Sequence, residues 1–345
     1  MRKKLLLAAL SVAFAIALVE AALRVAEYGA SSETIEPFDL YYFRDRPAAL
    51  RDQRTAFAYE PDSSVRQLVV VVTKQGRAIE YDTTLTTNNL GLVQKRNLSP
   101  GETAVVVIGD SFTEGVGAPP WFYDLEAEIG GEFRLANLGV VNTGAQHWER
   151  SLSWFAKDHR VAGLIVAFIE DDLRRPLSWW KRVDGSIVNC VDDRCGSNPM
   201  KTLPYRDSDF APFTHQQAPA SKGIAKDLLQ ATRVGNLLLR APNAVFDEAQ
   251  FREGLRAFDR IAAKFPAAVF LHLPMAEEAR SQAWLGRSPR IREHLRALGG
   301  RYRDGMKECG LEGSDYHRYD PHPNANGYQK IRRCVAQIVR GLRTT

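Results

Sequence analysis

Cysteine and methionine are scarce in this chain, four of each among 345 residues. No second close Cys or His pair accompanies the cysteines, which argues against a structural metal site. Charge of one sign is also lacking. The 46 Lys and Arg barely outnumber the 41 Asp and Glu, and no basic block stands out after the first four residues. A net charge of +5, so scattered, does not argue for nucleic acid. At most it favours an acidic polymer or an anionic membrane surface. There is no internal repeat and no low-complexity tract. What is there, 45% apolar and 25% charged residues, is the composition of a globular protein that can bury a core. The length suits two domains or one enlarged α/β domain.

One long apolar run, LLLAALSVAFAIALV at residues 5–19, follows the basic start MRKK. Together they match a secretory leader, with Val19-Glu20-Ala21 as a cleavage site before Ala22. Against cleavage, Glu20 and Arg24 stand four apart in the order that supports a helix. The apolar pattern also continues through Ala21, Ala22, Leu23, Val25 and Ala26, long enough for a tilted membrane span. We favour an uncleaved anchor at residues 1–30 with the bulk on the extracytoplasmic, periplasmic side of the cell envelope; cleavage would make the protein secreted. An even set of four cysteines is consistent with export. CVDDRC closes a small polar loop, so Cys190–Cys195 is the local pair, and Cys309–Cys334 would tie one helix end to the last helix. Free buried thiols are the alternative.

Residues 31–100 form a separate β-containing segment. VRQLVVVVTKQGRAIEYDTTLTTNNLGL predicts two strands joined at Lys74-Gln75-Gly76, with NNLG as a later turn. Residues 101–345 have another texture. TAVVVIG, FRLANLG and AGLIVAFI read as strands, with helices over PPWFYDLEAEIG and AQHWERSLSWFAKDH between them. This alternation predicts an α/β fold, a mostly parallel sheet covered on both faces. Residues 174–222 read as a loop-rich insertion. Beyond it we expect helices near 223–240 and 246–264, the strand AAVFLHLP, and helices near 288–309 and 324–343.

Open parallel sheets bind ligands beyond the carboxyl ends of their strands. The first strand ends on Asp110 and Ser111, the second on Asn137, Gly139 and Asn142, the third on Glu170, Asp171 and Asp172. YDPHPNANGY adds Asp320 and His322 just before the last helix. A hydroxyl, an imidazole and a carboxylate on one rim make an activated nucleophile. His322 would take the Ser111 proton and Asp320 would hold the ring. His317 repeats the spacing with Asp315 and is the decoy or fallback. The bland reading of Ser111 is a turn serine capping the next helix.

GDSFTEG, then NLGVVNTG, then a terminal DPHPN..GY resemble the SGNH/GDSL hydrolase family over roughly residues 80–343. In layout the chain is similar to envelope-anchored, alginate-acetylation-like members. The resemblance implies a flavodoxin-like three-layer α/β/α sandwich and acyl-ester chemistry, with Ser111 as nucleophile, His322 as base and Asp320 as its partner. It implies no metal and no cofactor.

The departures are specific. The family's usual acid precedes the histidine by three residues, where Tyr319 stands here. The oxyanion-hole glycine is replaced by Asn142 and the oxyanion-hole asparagine by Asp171, with Asp172 matching the family's following acid. An ionised carboxylate has no proton to donate. Either Asn142 donates, or Asp171 is protonated, or the hole is crippled. Substrate-side candidates are Asp110, Trp179, Trp180 and Arg174, with Arg175 beside it. Indole faces suit sugar rings, although most Trp residues are packing. The expected function is an exported esterase or deacylase acting on an O-acylated envelope or extracellular saccharide or small acyl ester. The alternatives are an O-acyltransferase to a polysaccharide hydroxyl, and a non-catalytic saccharide-binding or assembly subunit. Asp171 favours the last of these.

Overall fold

The computed structural model describes residues 38–44, 58–183, 186–191, 194–195, 201–210 and 233–342, with Ala15 and Leu18. The N-terminal apolar run otherwise lies outside the described residues, and among those residues no helix is long and apolar enough to cross a membrane.

The first strands are β1 (Asp39–Arg44), β2 (Ser64–Thr73) and β3 (Gly76–Thr86). Then β4 (Thr103–Gly109) leads into a one-turn helix, α1 (Ser111–Glu114), followed by α2 (Trp121–Ile129), β5 (Leu135–Asn137), α3 (Ala145–Asp158) and β6 (Arg160–Phe168). The insertion supplies β7 (Ser178–Val183), β8 (Ser186–Val191), β9 (Arg194–Cys195) and β10 (Lys201–Thr202). The remainder is α4 (Arg233–Lys264), β11 (Val269–His272), α5 (Ala276–Ser281), α6 (Ser288–Arg296), β12 (Tyr302–Asp304), α7 (Gly305–Glu308) and α8 (Ala325–Gly341).

The central sheet has the order β12-β11-β6-β4-β5 and every pairing is parallel. Alternation along β4 sends Val106 and Ile108 to one face and Val105 and Val107 to the other. The first face packs on Trp148, Leu152 and Phe155 of α3, Phe251 and Phe258 of α4, and Ile291 of α6. The second packs on Phe122 and Leu125 of α2 and Ile331 and Val335 of α8. Helices therefore cover both faces, and the protein is the three-layer α/β/α sandwich that the βα rhythm predicts.

A second sheet, β10-β1-β2-β3, joins the N-terminal segment to the insertion. Its β2–β3 hairpin turns at Lys74 and Gln75, with Thr73 opposite Gly76. Within the insertion, β7, β8 and β9 form a three-stranded antiparallel sheet. Two expectations are corrected. The helix expected over 288–309 is instead α6, β12 and α7. Gly299, at φ +79, ends that helical run, and Tyr302–Asp304 pair with β11. Finally, α4 runs unbroken through Pro242, which removes one backbone donor, while Phe251, Phe258 and Ile261 hold its C-terminal half on the sheet. Residues 223–232 lie outside the described set.

Cys190 is joined to Cys195 across β8 and β9, and Cys309 to Cys334 of α8. Two disulfides suit an extracytoplasmic protein.

Candidate active site

The β4 strand ends where backbone must turn in very little space. A Cβ on Gly109 would lie 2.1 Å from both the Ala167 carbonyl oxygen and Thr113 Oγ1, so only glycine fits. Asp110 then caps α1 by accepting from the Phe112 N–H at 2.9 Å. Gly115, at φ +96, closes the turn with its N–H on the Ser111 carbonyl. Ser111 thus opens a one-turn helix at the carboxyl edge of the central sheet.

Asp320 and His322 reach it from the other end of the chain. Asp320 Oδ1 accepts from the His322 backbone N–H at 2.8 Å and also meets His322 Nδ1. The two-residue spacing lets one carboxylate oxygen hold the histidine's backbone and ring together. His322 Nε2 lies 2.9 Å from Ser111 Oγ. With Nδ1–H donating to Asp320, Nε2 is the acceptor for the serine proton. Asp320 is completely buried. Burial alone would raise its pKa, but the bonds from His322 and the nearby Tyr42 hydroxyl outweigh it and hold the carboxyl below the usual range.

The other Asp-x-His pair does not assemble. His317 Nε2 donates to the Gly117 carbonyl at 2.7 Å, while Asp315 caps the Glu312 N–H and pairs with Lys330 at 2.7 Å.

The loop after β5 is tied to the nucleophile turn on both sides. Val140 N–H and Thr143 Oγ1 both donate to the Gly109 carbonyl, at 3.2 and 3.1 Å. Val141 N–H donates to Glu114 at 2.5 Å. Between them Asn142 sits at φ +62, left-handed backbone that favours glycine and tolerates asparagine. Neither its N–H nor its amide has a partner among the described residues.

Asp171 is different. Its carboxylate, 38% exposed, pairs with Arg174, which also faces Glu170 at 3.6 Å and Asp247 at 3.7 Å. The carboxylate offered for the oxyanion hole is thus engaged by a guanidinium in this structure. The same contacts commit Arg174 to an acidic cluster instead of a substrate. Asp110 is completely buried: it caps α1, its Oδ2 accepts from Arg175 Nη1 at 3.1 Å, and Ser111 Oγ lies 3.1 Å from the same oxygen. Trp179 and Trp180 lie on β7, and their side chains fall outside the described set. Trp121 and Trp148 are core residues, each with its indole N–H satisfied.

Glu114 escaped sequence reasoning, and Arg175 was read there only as a substrate-side candidate. Arg175 Nη1 gathers Asp110, Asp172 at 2.7 Å and the Thr143 carbonyl at 2.8 Å behind Ser111. Burial, then repulsion from Asp110, holds the Asp172 proton well above the ordinary carboxylate range. Glu114, completely buried, accepts from Tyr59 Oη at 2.5 Å, Gln67 Nε2 at 3.2 Å and Arg44 Nη2 at 3.3 Å. A glutamate inside GDSFTEG was visible, but nothing in the sequence marked it as buried.

No family model and no curated protein matches the chain. Solved structures do. One is an alpha/beta hydrolase enzyme from the metagenome of Lake Arreo, Spain, with a TM-score of 0.33 and 15% identity over 70% of this chain and 96% of that one. Another is a carbohydrate esterase family 2 enzyme plus carbohydrate binding domain from Corynascus thermopiles (Myceliophthora fergusii), with a TM-score of 0.35 and 12% identity over 90% of each chain. Scores this low say nothing about chemistry, which rests on the side chains. Among the described residues no cluster of three His, Cys, Asp or Glu could hold a metal ion.

Proposed function

We propose that the protein is an SGNH-type serine ester hydrolase. The observation that carries this reading is the line Ser111 Oγ, His322 Nε2, His322 Nδ1, Asp320 Oδ1 at the end of a parallel strand. Ser111 attacks the ester carbonyl as His322 Nε2 takes its proton, and Asp320 stabilises the imidazolium. The tetrahedral oxygen is met by the Ser111 N–H and the donors of Asn142. Collapse expels the alcohol, which receives the proton from His322. Water, deprotonated by the same nitrogen, then releases the acid from the acyl-serine.

The substrate class we favour is an O-acylated saccharide outside the cytoplasm. A groove of about 410 Å³ beside the site is lined by Tyr81, Thr83, Gly117, His317 and Asn326, among others. Gly117, in its wall, lies against His322: a Cβ there would be 3.2 Å from His322 Cβ. The basic start and apolar run of residues 2–26 would tether the protein to the membrane. If a sugar hydroxyl displaces water in the second step, the same acyl-serine makes an O-acyltransferase.

Intact-mass analysis with a fluorophosphonate tests the reading. One adduct is expected on the wild type and on His317→Ala, and none on Ser111→Ala or His322→Ala. A wild-type protein that takes no adduct and cleaves no aryl acetate overturns it in favour of a binding subunit.

A further inference from the structure

The N-terminal sheet lies against both halves of the candidate active site. Arg44 and Gln67 bond Glu114, three residues past Ser111. On the histidine loop, Phe38 stacks edge-on to Tyr319 with ring centroids 5.0 Å apart. Glu80 of β3 accepts from the Tyr319 N–H at 3.1 Å, and the Tyr81 ring lies 5.2 Å from that of His317.

Strand β1 faces this junction with every second residue. Tyr41 and Phe43 turn to Phe210 on the outer side, at 5.1 and 5.6 Å. Leu40 packs on the cluster of Val69, Tyr81 and Val116, and Arg44 reaches Glu114. Tyr42, 46% exposed, lies between Leu40 and Arg44 on that side of the strand, close enough to Asp320 for the two groups to act on each other. Asp320 has room for such a partner. Its Oδ1 holds His322, while its buried Oδ2 has no hydrogen-bond partner among the described residues.

We propose that Tyr42 is a positioning residue: its O–H supports the second oxygen of Asp320, so the N-terminal sheet completes the Ser111–His322–Asp320 line. This rests on the ester-hydrolase reading for its consequence in catalysis, and on the β1 geometry for the contact itself. The Tyr42 hydroxyl is kept protonated by partial burial and by the negative charge of Asp320, so it acts as a donor. The other titratable groups facing Asp320 and Tyr42 are His322 on the loop, Glu80 and Tyr81 on β3, and Tyr328 on α8.

Removing the O–H leaves the Asp320 charge less stabilised, so Asp320 holds the His322 proton more tightly. For Tyr42→Phe in the full chain, the acidic limb of the pH profile for fluorophosphonate labelling should move up by about half a unit to one unit. The rate on the alkaline plateau should stay within about threefold. Tyr41→Phe, on the opposite face of the strand, should superimpose on wild type. In parallel, the downfield proton resonance of His322 Nδ1–H should move further downfield in Tyr42→Phe. Labelling of both proteins with superimposed pH profiles overturns the role of Tyr42 and leaves the hydrolase reading intact. If wild type is not labelled, the hydrolase reading falls, and the resonance decides the contact: movement supports it, no movement overturns it.

Discussion

Glu114 offers the sharpest test of how the two sheets are joined. Its side chain is fully buried and that of Arg44 is 11% exposed, so neither charge has water to fall back on. Substituting Glu114→Ala leaves the guanidinium without its carboxylate, a loss worth about 3–5 kcal/mol for a buried pair. The orphaned Val141 N–H adds about 1–3 kcal/mol where water cannot replace the acceptor. Water entering the vacated space offsets part of the sum, so we expect a net loss of about 4 kcal/mol. At 2–4 °C per kcal/mol this lowers Tm by roughly 8–16 °C. Urea denaturation gives the free energy and a thermal scan the Tm. The double variant Arg44→Leu, Glu114→Leu removes both charges and should recover at least about half of the loss. Because Val141 precedes Asn142, the Glu114→Ala protein should also label at Ser111 about tenfold more slowly while still folded. A Glu114→Ala protein within about 1 kcal/mol of wild type would refute the reasoning.

Asp171→Asn should leave aryl-acetate turnover within about threefold, since Arg174 and not an oxyanion is its partner; a rise beyond about tenfold would put Asp171 back in the hole. Burial pushes His147 down to about 4 and His272 down to about 3. Both folded values lie below the unfolded one of about 6.5, so their stabilising contribution is complete above that pH and is lost as pH falls towards 4 and 3. Urea midpoints should therefore drop on acidification below about pH 6.5, with a smaller slope in His147→Gln; equal slopes in the two proteins would contradict this. The Cys309–Cys334 bridge spans 25 residues, so replacing both with Ala should cost about 3 kcal/mol in urea denaturation. A loss under about 1 kcal/mol would mean the unfolded chain is not constrained as supposed.

Much of the architecture was legible in short-range pattern. The valines of β4 alternate between two covered faces, and the spacing of strands and amphipathic helices calls for a parallel sheet because a strand buried on both faces must be apolar throughout. The Gly109-Asp110-Ser111 turn was legible too, since a glycine, a capping acid and a hydroxyl in that order describe one local geometry. Both cysteine pairs also follow from the sequence, one of them by simple proximity. The strands within the insertion were not legible, because pairing between short segments decides them.

What only the tertiary structure decided are contacts between residues far apart in the chain. Asp315-x-His317 and Asp320-x-His322 are equivalent as strings, and only the approach of His322 to a serine 211 residues away separates them. The ion pair of Asp171 with Arg174 is likewise set by the fold of the turn after β6. Glu114 and Tyr42 carry no local signature, because their importance comes from partners drawn from separate segments. Residue types and spacing determine which groups are available within one turn or one strand. The packing of a second sheet against the rim of the first determines which of those groups lose water, and a buried charge or hydrogen bond acts strongly only there.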